Sequence, residues 1–148
     1  MKSSGLEEKT VVNSPVAYDI KVATYDDKYY SVLETWWKGH KWTPVPKQML
    51  TDIGYIIIIN NMPVVAGFLV TTNSEPALIE WIVKNPEANR ALAKVGLNEL
   101  YDALEGKARK LGYKMAISFF QHKGLKDFAM DRGYTPAEEQ IDVFVGRL

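Results

Sequence analysis

The stretch that most limits what this chain can become runs from Pro76 to Phe120: PALIEWIVKNPEANRALAKVGLNELYDALEGKARKLGYKMAISFF. It reads as an apolar strand, a turn holding Asn85 and Pro86, a long amphipathic helix ended by Gly112, and a second strand. A crossover helix of this kind joins strands of one sheet, so the chain must lay a helix on a sheet face. A strand ending at a helix start also gathers unpaired N–H groups and the positive end of the helix dipole, a combination suited to anions. One carboxylate, Glu80, interrupts the otherwise apolar strand.

The upstream half supplies the rest of that sheet. Tyr18–Ala23 reads as a first strand. Thr24 or Asp26 then caps a helix whose Tyr29, Val32, Leu33 and Trp36 follow the spacing of one buried face, with Gly39 at its end. His40–Leu50 reads as a loop with Trp42, Pro44 and Pro46, leading to a short helix around Lys47–Asp52. Four consecutive isoleucines in Gly54–Asn60 predict a strand covered on both faces. A turn at residues 60–63 returns the chain along Val64–Thr72. A second turn at residues 73–76 leads into Ala77–Val83, a third consecutive antiparallel strand. Beyond the long helix, with Leu97, Leu100, Tyr101, Leu104, Ala108 and Leu111 on one stripe, come a strand at Lys114–Phe120 and a short helix at Leu125–Arg132. Gly133 stops that helix, and Ile141–Val145 closes the chain as a strand. The order is β-α-α-β-β-β-α-β-α-β: an α/β (α+β) domain with a mixed, mostly antiparallel central sheet flanked by helices. Residues 1–17, polar and holding Pro15, read as a mobile extension in which Val11 and Val12 have the option of pairing at a sheet edge. Residues 18–148 form one domain on this reading.

Composition narrows the function. Lys plus Arg and Asp plus Glu both total 18, a balance that argues against a nucleic-acid-binding chain, which normally carries a basic excess. With no cysteine and only His40 and His122, disulfides, thiolate chemistry and a structural metal site are not expected. The polar start, MKSSGLEEKT, predicts no secretory leader, and no apolar run approaches the ~18 residues of a membrane span, so a cytoplasmic soluble protein without a membrane partner is the expectation.

The element order resembles that of the Gcn5-related N-acetyltransferase (GNAT) family over Tyr18 to Leu148. The residues that carry the resemblance are the Glu-Trp-Ile of the third meander strand, the "IVKNP" that ends it, Asn-Pro-Glu-Ala, "KLGYK" opening the next strand, and Gly133-Tyr134 where the family has Gly-Phe. The pattern is similar to small, divergent GNAT-like proteins of bacteriophages and bacteria. The resemblance implies that acetyl-CoA lies in an opening between the strands on either side of the long helix. Its pantetheine arm would pair with the backbone at Ile82 and Val83. Its pyrophosphate would rest on a loop that falls here on Asn89, Arg90, Ala91, Leu92, Ala93 and Lys94.

That loop departs from the family pattern, which has glycines where this chain has none. Leu92 and Lys94 do not readily take the positive φ that a backbone phosphate cradle uses. Arg90 and Lys94, four apart, offer side-chain charge in its place. A competing local reading has Asn85 as N-cap, Pro86 as first helical residue and Glu87 where a pyrophosphate would rest. Both readings stay open at this point.

Glu80 is the candidate base for taking a proton from an amine, its burial among apolar neighbours raising its proton affinity; the bland alternative is a carboxylate paired with a cation across the sheet. Strict alternation puts it on one face with Leu78 and Ile82, with Ile79, Trp81 and Val83 opposite. The family's acid, a tyrosine in the short helix, is replaced here by Phe128 or Ala129, leaving Tyr113 and Tyr134 as distant substitutes. His122 is a candidate cofactor contact or a plain helix-start residue. Trp37, His40 and Trp42 are candidates for an acceptor pocket suited to a small-molecule or peptide amine, and Trp36 belongs to the core stripe. The leading reading is an acetyl-CoA-dependent N-acetyltransferase-like protein. Its rival is a catalytically inactive GNAT-fold binding or assembly module, a homodimer among its forms, with an exposed Trp37 and Trp42 as the partner surface.

Overall fold

The computed structural model describes residues 6–13, 16–120, 123–137 and 144–148. They divide into two compact units, Met1–Ser118 and Phe119–Leu148. The first holds β1 (Glu7–Asn13), β2 (Val16–Thr24), α1 (Tyr30–Gly39), β3 (Gly54–Ile59), β4 (Met62–Val70), β5 (Pro76–Lys84), α2 (Arg90–Lys110) and β6 (Met115–Ser118). The second holds α3 (Lys123–Asp131), whose buried positions are Phe128 and Ala129.

The six strands lie in sequence order across one sheet. Four junctions are antiparallel, and the last, β5 with β6, is parallel because α2 carries the chain back across the sheet. Residues 7–13, read from the sequence as extension, take the edge-pairing option: β1 runs in register with β2 from Glu7↔Val22 to Asn13↔Val16. Ile56, Ile57 and Ile59 are fully buried, as a strand covered on both sides requires. Each such side chain contributes about 1.5–3 kcal/mol of burial.

The two faces carry different helices. α1 lies on one face, where Leu33, Trp36 and Trp37 pack with Tyr25, Ile56, Ala66, Phe68 and Val83. α2 lies on the other, against β3 and β4. Its close approach depends on two residues without side chains. A Cβ on Gly96 would stand 3.0 Å from a methyl of both Val64 and Val65, and one on Gly67 would stand 2.9 Å from Leu100 Cδ2. Gly112 ends α2 and Gly133 follows α3, both with φ of 96°.

Two elements differ from expectation. The short helix around Lys47–Asp52 is a single 3-10 turn, Lys47–Met49. The chain is already extended at Leu50, with ψ of 143°, and the Thr51 hydroxyl that follows lies 2.9 Å from the Leu69 carbonyl of β4. The closing strand at Ile141–Val145 falls mostly outside the described residues, and its described members Phe144 and Val145 are not in a strand. Among the described residues no helix is long and apolar enough to cross a membrane.

Candidate active site

β5 keeps two neighbours for only half its length. Against β4 it pairs from Val70↔Leu78 to Val65↔Lys84. Against β6 it pairs only from Pro76↔Met115 to Ile79↔Ser118. From Glu80 onward, no strand among the described residues joins the β6-side edge, so the sheet forks one residue before the carboxylate.

At the same point β5 carries a bulge. Phe68 faces Glu80 and Ala66 faces Val83, so three steps along β5 match two along β4. Trp81 absorbs the extra residue with φ of 60°, a left-handed conformation that costs a non-glycine residue roughly 1 kcal/mol or more. The bulge overturns strict alternation. Trp81 and Val83 pack with the α1-side cluster that holds Phe68, the cross-strand partner of Glu80. Ile82 instead faces α2, its Cγ1 3.3 Å from where a Gly67 Cβ would stand. Glu80 therefore shares its face with Leu78, Trp81 and Val83, and Ile82 lies opposite.

Glu80 is part-buried, and that desolvation raises its pKa above the ordinary carboxylate value. No hydrogen bond or ion pair holds it among the described residues, so the cross-sheet cation of the bland reading is not there. The adjacent Trp81 has its indole N–H buried with no partner among the described residues. A free carboxylate with raised proton affinity, next to an unused donor, is equipped to accept a proton rather than to staple the sheet.

The loop beyond β5 settles where α2 begins. Asn85, the early-cap candidate, caps only a turn: Oδ1 accepts the Glu87 N–H at 2.9 Å and Nδ2 donates to the Pro63 carbonyl at 2.9 Å, but the chain does not continue from there as a helix. Asn89 caps the helix instead, its Oδ1 accepting the Leu92 N–H at 2.9 Å. Glu87 thus lies before the helix. Arg90, Ala91 and Lys94 lie exposed on the first turns of α2, at the open end of the fork. Lys84 Nζ donates to the Ala88 carbonyl at 3.0 Å, which ties the loop to the strand end.

α1 closes the other side of that end. The His40 Nε2–H donates to the Lys84 carbonyl at 2.8 Å, and its ring stacks on Trp42 with centroids 4.4 Å apart. The end of α1 presses on the loop so closely that a Cβ on Gly39 would stand 2.8 Å from Pro86 Cγ. Trp42 is 36% exposed. Trp37 is 3% exposed and belongs to the core, so the exposed surface expected from it is absent. Tyr113 is committed to backbone, donating to the Thr72 carbonyl at 2.6 Å and accepting the Thr72 N–H at 2.9 Å. His122 lies outside the described residues.

One feature at the fork was missed from sequence. Tyr101 of α2, fully buried, reaches Ser118, the last residue of β6, with 2.7 Å between their hydroxyl oxygens. Ser118 Oγ in turn lies 3.5 Å from the Ile79 carbonyl. The only sequence signal was a tyrosine, not a leucine, on the core stripe of α2, since a buried Tyr hydroxyl usually finds a partner.

No protein-family model and no curated protein matches the chain. Solved structures do. N-acetylglutamate synthase from Neisseria gonorrhoeae, complexed with coenzyme A and N-acetyl-glutamate, superposes with a TM-score of 0.63 at 14% identity over 81% of this chain. This chain spans 29% of that protein's length. An aminoglycoside N-acetyltransferase in complex with CoA matches with a TM-score of 0.60 at 12% identity, over 92% of this chain and all of its own. A GNAT-family acetyltransferase from Streptococcus pneumoniae matches at 0.58 and 12% identity, over 88% of this chain and 99% of its own. The chain has the GNAT fold. The meander, the crossover helix α2 and the parallel junction of β5 with β6 are thereby the framework of that fold.

Proposed function

We propose that this chain binds acetyl-CoA in the fork between β5 and β6 and transfers the acetyl group to an amine. The observation that carries the reading is Glu80: a desolvated, unpartnered carboxylate one residue past the point where β6 leaves β5. Acetyl-CoA would supply an activated acyl thioester on an amide-bearing, anionic arm. The residues present suit such a group. The open edge of β5 at Ile82 and Val83 offers backbone N–H and C=O groups to an extended amide chain. Asn89, Arg90, Ala91 and Lys94 stand where its phosphates would lie, the two cations standing in for a glycine cradle. Glu80 takes the proton from the acceptor ammonium, directly or through one water, which frees the neutral amine to attack. His40 and Trp42 form the stacked wall at the strand end and are the acceptor-side candidates, with the aromatic face suited to a cationic amine.

Titrating acetyl-CoA by calorimetry, with a parallel thermal-shift series, tests the reading. Saturable heat and a rise in Tm are expected; neither at millimolar ligand would remove it.

A second reading, an inactive GNAT-fold binding module, is favoured by one observation. Asn89 already satisfies the Leu92 N–H that a phosphate would otherwise use, in a first turn without glycine. Its partner surface is reduced to Trp42 and the β1 edge, because Trp37 is buried. Turnover of acetyl-CoA by a chain that sizes as a monomer would exclude it.

A further inference from the structure

Away from the fork, residues 25–28 at the end of β2 and residues 47–52 before β3 enclose an open depression of about 550 Å³. Asp26, Asp27 and Asp52 stand exposed on its walls, with Lys28 and Lys47. The lysines are already engaged. Lys28 Nζ lies 3.9 Å from Asp26 and 5.5 Å from the centre of the Tyr29 ring, and Lys47 Nζ lies 5.6 Å from the centre of the Tyr30 ring. The carboxylates of Asp27 and Asp52 have no cation and no hydrogen-bond donor among the described residues. By themselves they would be a solvated rim; Tyr25 makes the depression a site.

Tyr25 lines the same depression and is 7% exposed, and its hydroxyl is buried with no hydrogen-bond partner among the described residues. A buried phenol normally finds one. The ring is not free to swing its hydroxyl out to water. It stands edge-on to Phe68 with centroids 4.9 Å apart, and Phe68 lies over Gly54, where a Cβ would overlap its ring. Burial raises the pKa of Tyr25 and the charge of Asp27 adds to the rise, so the hydroxyl lies in the field of that carboxylate. Tyr25, Gly54, Phe68 and Glu80 form one row across β2, β3, β4 and β5. Three strand spacings of about 4.8 Å put Tyr25 about 14 Å from Glu80, too far for one ammonium to serve both.

We propose that this depression is a second ligand site that binds an organic diamine, one ammonium at Asp27 and the other at Asp52. The first ammonium donates to the Tyr25 oxygen, which gives the phenol the partner it lacks, and the aliphatic stem lies against Leu50. Two carboxylates and a phenol are too few donors for a hard metal ion, which takes about six oxygens or more, and no group of three or more acidic or histidine side chains among the described residues is placed to hold one. The site needs neither acetyl-CoA nor Glu80.

Calorimetry and thermal shift on the full chain test it, with pentane-diamine, pentylamine and pentanediol as probes, at a salt concentration that screens weak surface attraction. Wild type is expected to bind the diamine saturably, pentylamine severalfold more weakly and pentanediol not at all. Asp27→Asn and Asp52→Asn should each bring the diamine down to the affinity of the monoamine, the scale of one exposed charge contact. Glu75→Gln, which removes an exposed carboxylate elsewhere, should change nothing. Tyr25→Phe separates a ligand role from a packing role. Its hydroxyl has no partner to lose, so Y25F should keep or exceed the wild-type Tm without ligand and bind the diamine severalfold more weakly. Diamine binding that D27N and D52N leave intact, or that E75Q weakens equally, would overturn the proposal. So would a Y25F that loses Tm yet binds the diamine as wild type does, or a wild type that binds no diamine. None of these results bears on acetyl-CoA, whose titration stands or falls by itself.

Discussion

Replacing Glu80 with Gln tests the reading of the site on two quantities that move in opposite directions. Glu80 has no ion pair or hydrogen bond among the described residues, and burial raises its pKa. The folded state thus favours the protonated form more than the unfolded chain does. Stability from this source is fully present below the ordinary glutamate pKa, about 4.3, and is lost as pH rises through the raised folded value. Gln mimics the neutral acid at every pH. E80Q should therefore match wild type in acid and become the more stable protein as pH rises past the raised value. Were Glu80 one half of a buried ion pair, the same change would strand a cation and cost about 3–5 kcal/mol at neutral pH. Activity should respond the other way: loss of a general base lowers kcat by roughly 10²–10⁴. The wild-type acid limb should sit above the ordinary carboxylate range and disappear in E80Q. The measurements are urea denaturation of both proteins from pH 4 to 8 and the pH profile of kcat. A variant destabilised at neutral pH, with kcat within threefold of wild type, would refute the assignment.

Three further outcomes follow from particular contacts. Arg90→Ala with Lys94→Ala should leave Tm nearly unchanged, since both are exposed, and weaken acetyl-CoA binding about tenfold at low salt, with a shallower salt dependence by calorimetry. Asn89→Ala removes the α2 cap and should cost about 1 kcal/mol in urea denaturation. Gly67→Ala places a Cβ 2.9 Å from Leu100 Cδ2 and 3.3 Å from Ile82 Cγ1, so α2 must shift at a cost of about 1–3 kcal/mol, read as a lower denaturation midpoint.

The meander, the crossover helix and the buried isoleucine strand were legible because their signals are local periodicities. The burial of Trp37 was legible too, and misread: Leu33, Trp36 and Trp37 are spaced i, i+3, i+4, the stripe of one helix face. The start of α2 was undecidable locally. Asn85 and Asn89 both cap, Asn85 a turn over residues 85–88 and Asn89 the helix, and the side chain of Asn85 is also held by a carbonyl at Pro63, 22 residues upstream. A nonlocal acceptor leaves no mark on the segment it captures.

The bulge at Trp81 is the deepest case of this kind, and it sits where function is proposed. Nothing in Ile-Glu-Trp-Ile-Val departs from a strand, and tryptophan is a poor predictor of positive φ. The conformation is imposed by the sheet: β4 must meet Glu80 at Phe68 and Val83 at Ala66, leaving one residue too many between them. Absorbing it rotates Trp81 onto the α1 side beside Glu80 and turns Ile82 to α2. An unbulged β5 would put Trp81 on the α2 face, where Leu100 and Ile82 stand 2.9 and 3.3 Å from the position of a Gly67 Cβ. The glycine on β4, the helix it admits and the left-handed tryptophan are therefore one solution to one packing problem. The same solution ends the regular strand where the fork opens, which ties the proposed chemistry of Glu80 to the way α2 fits the sheet.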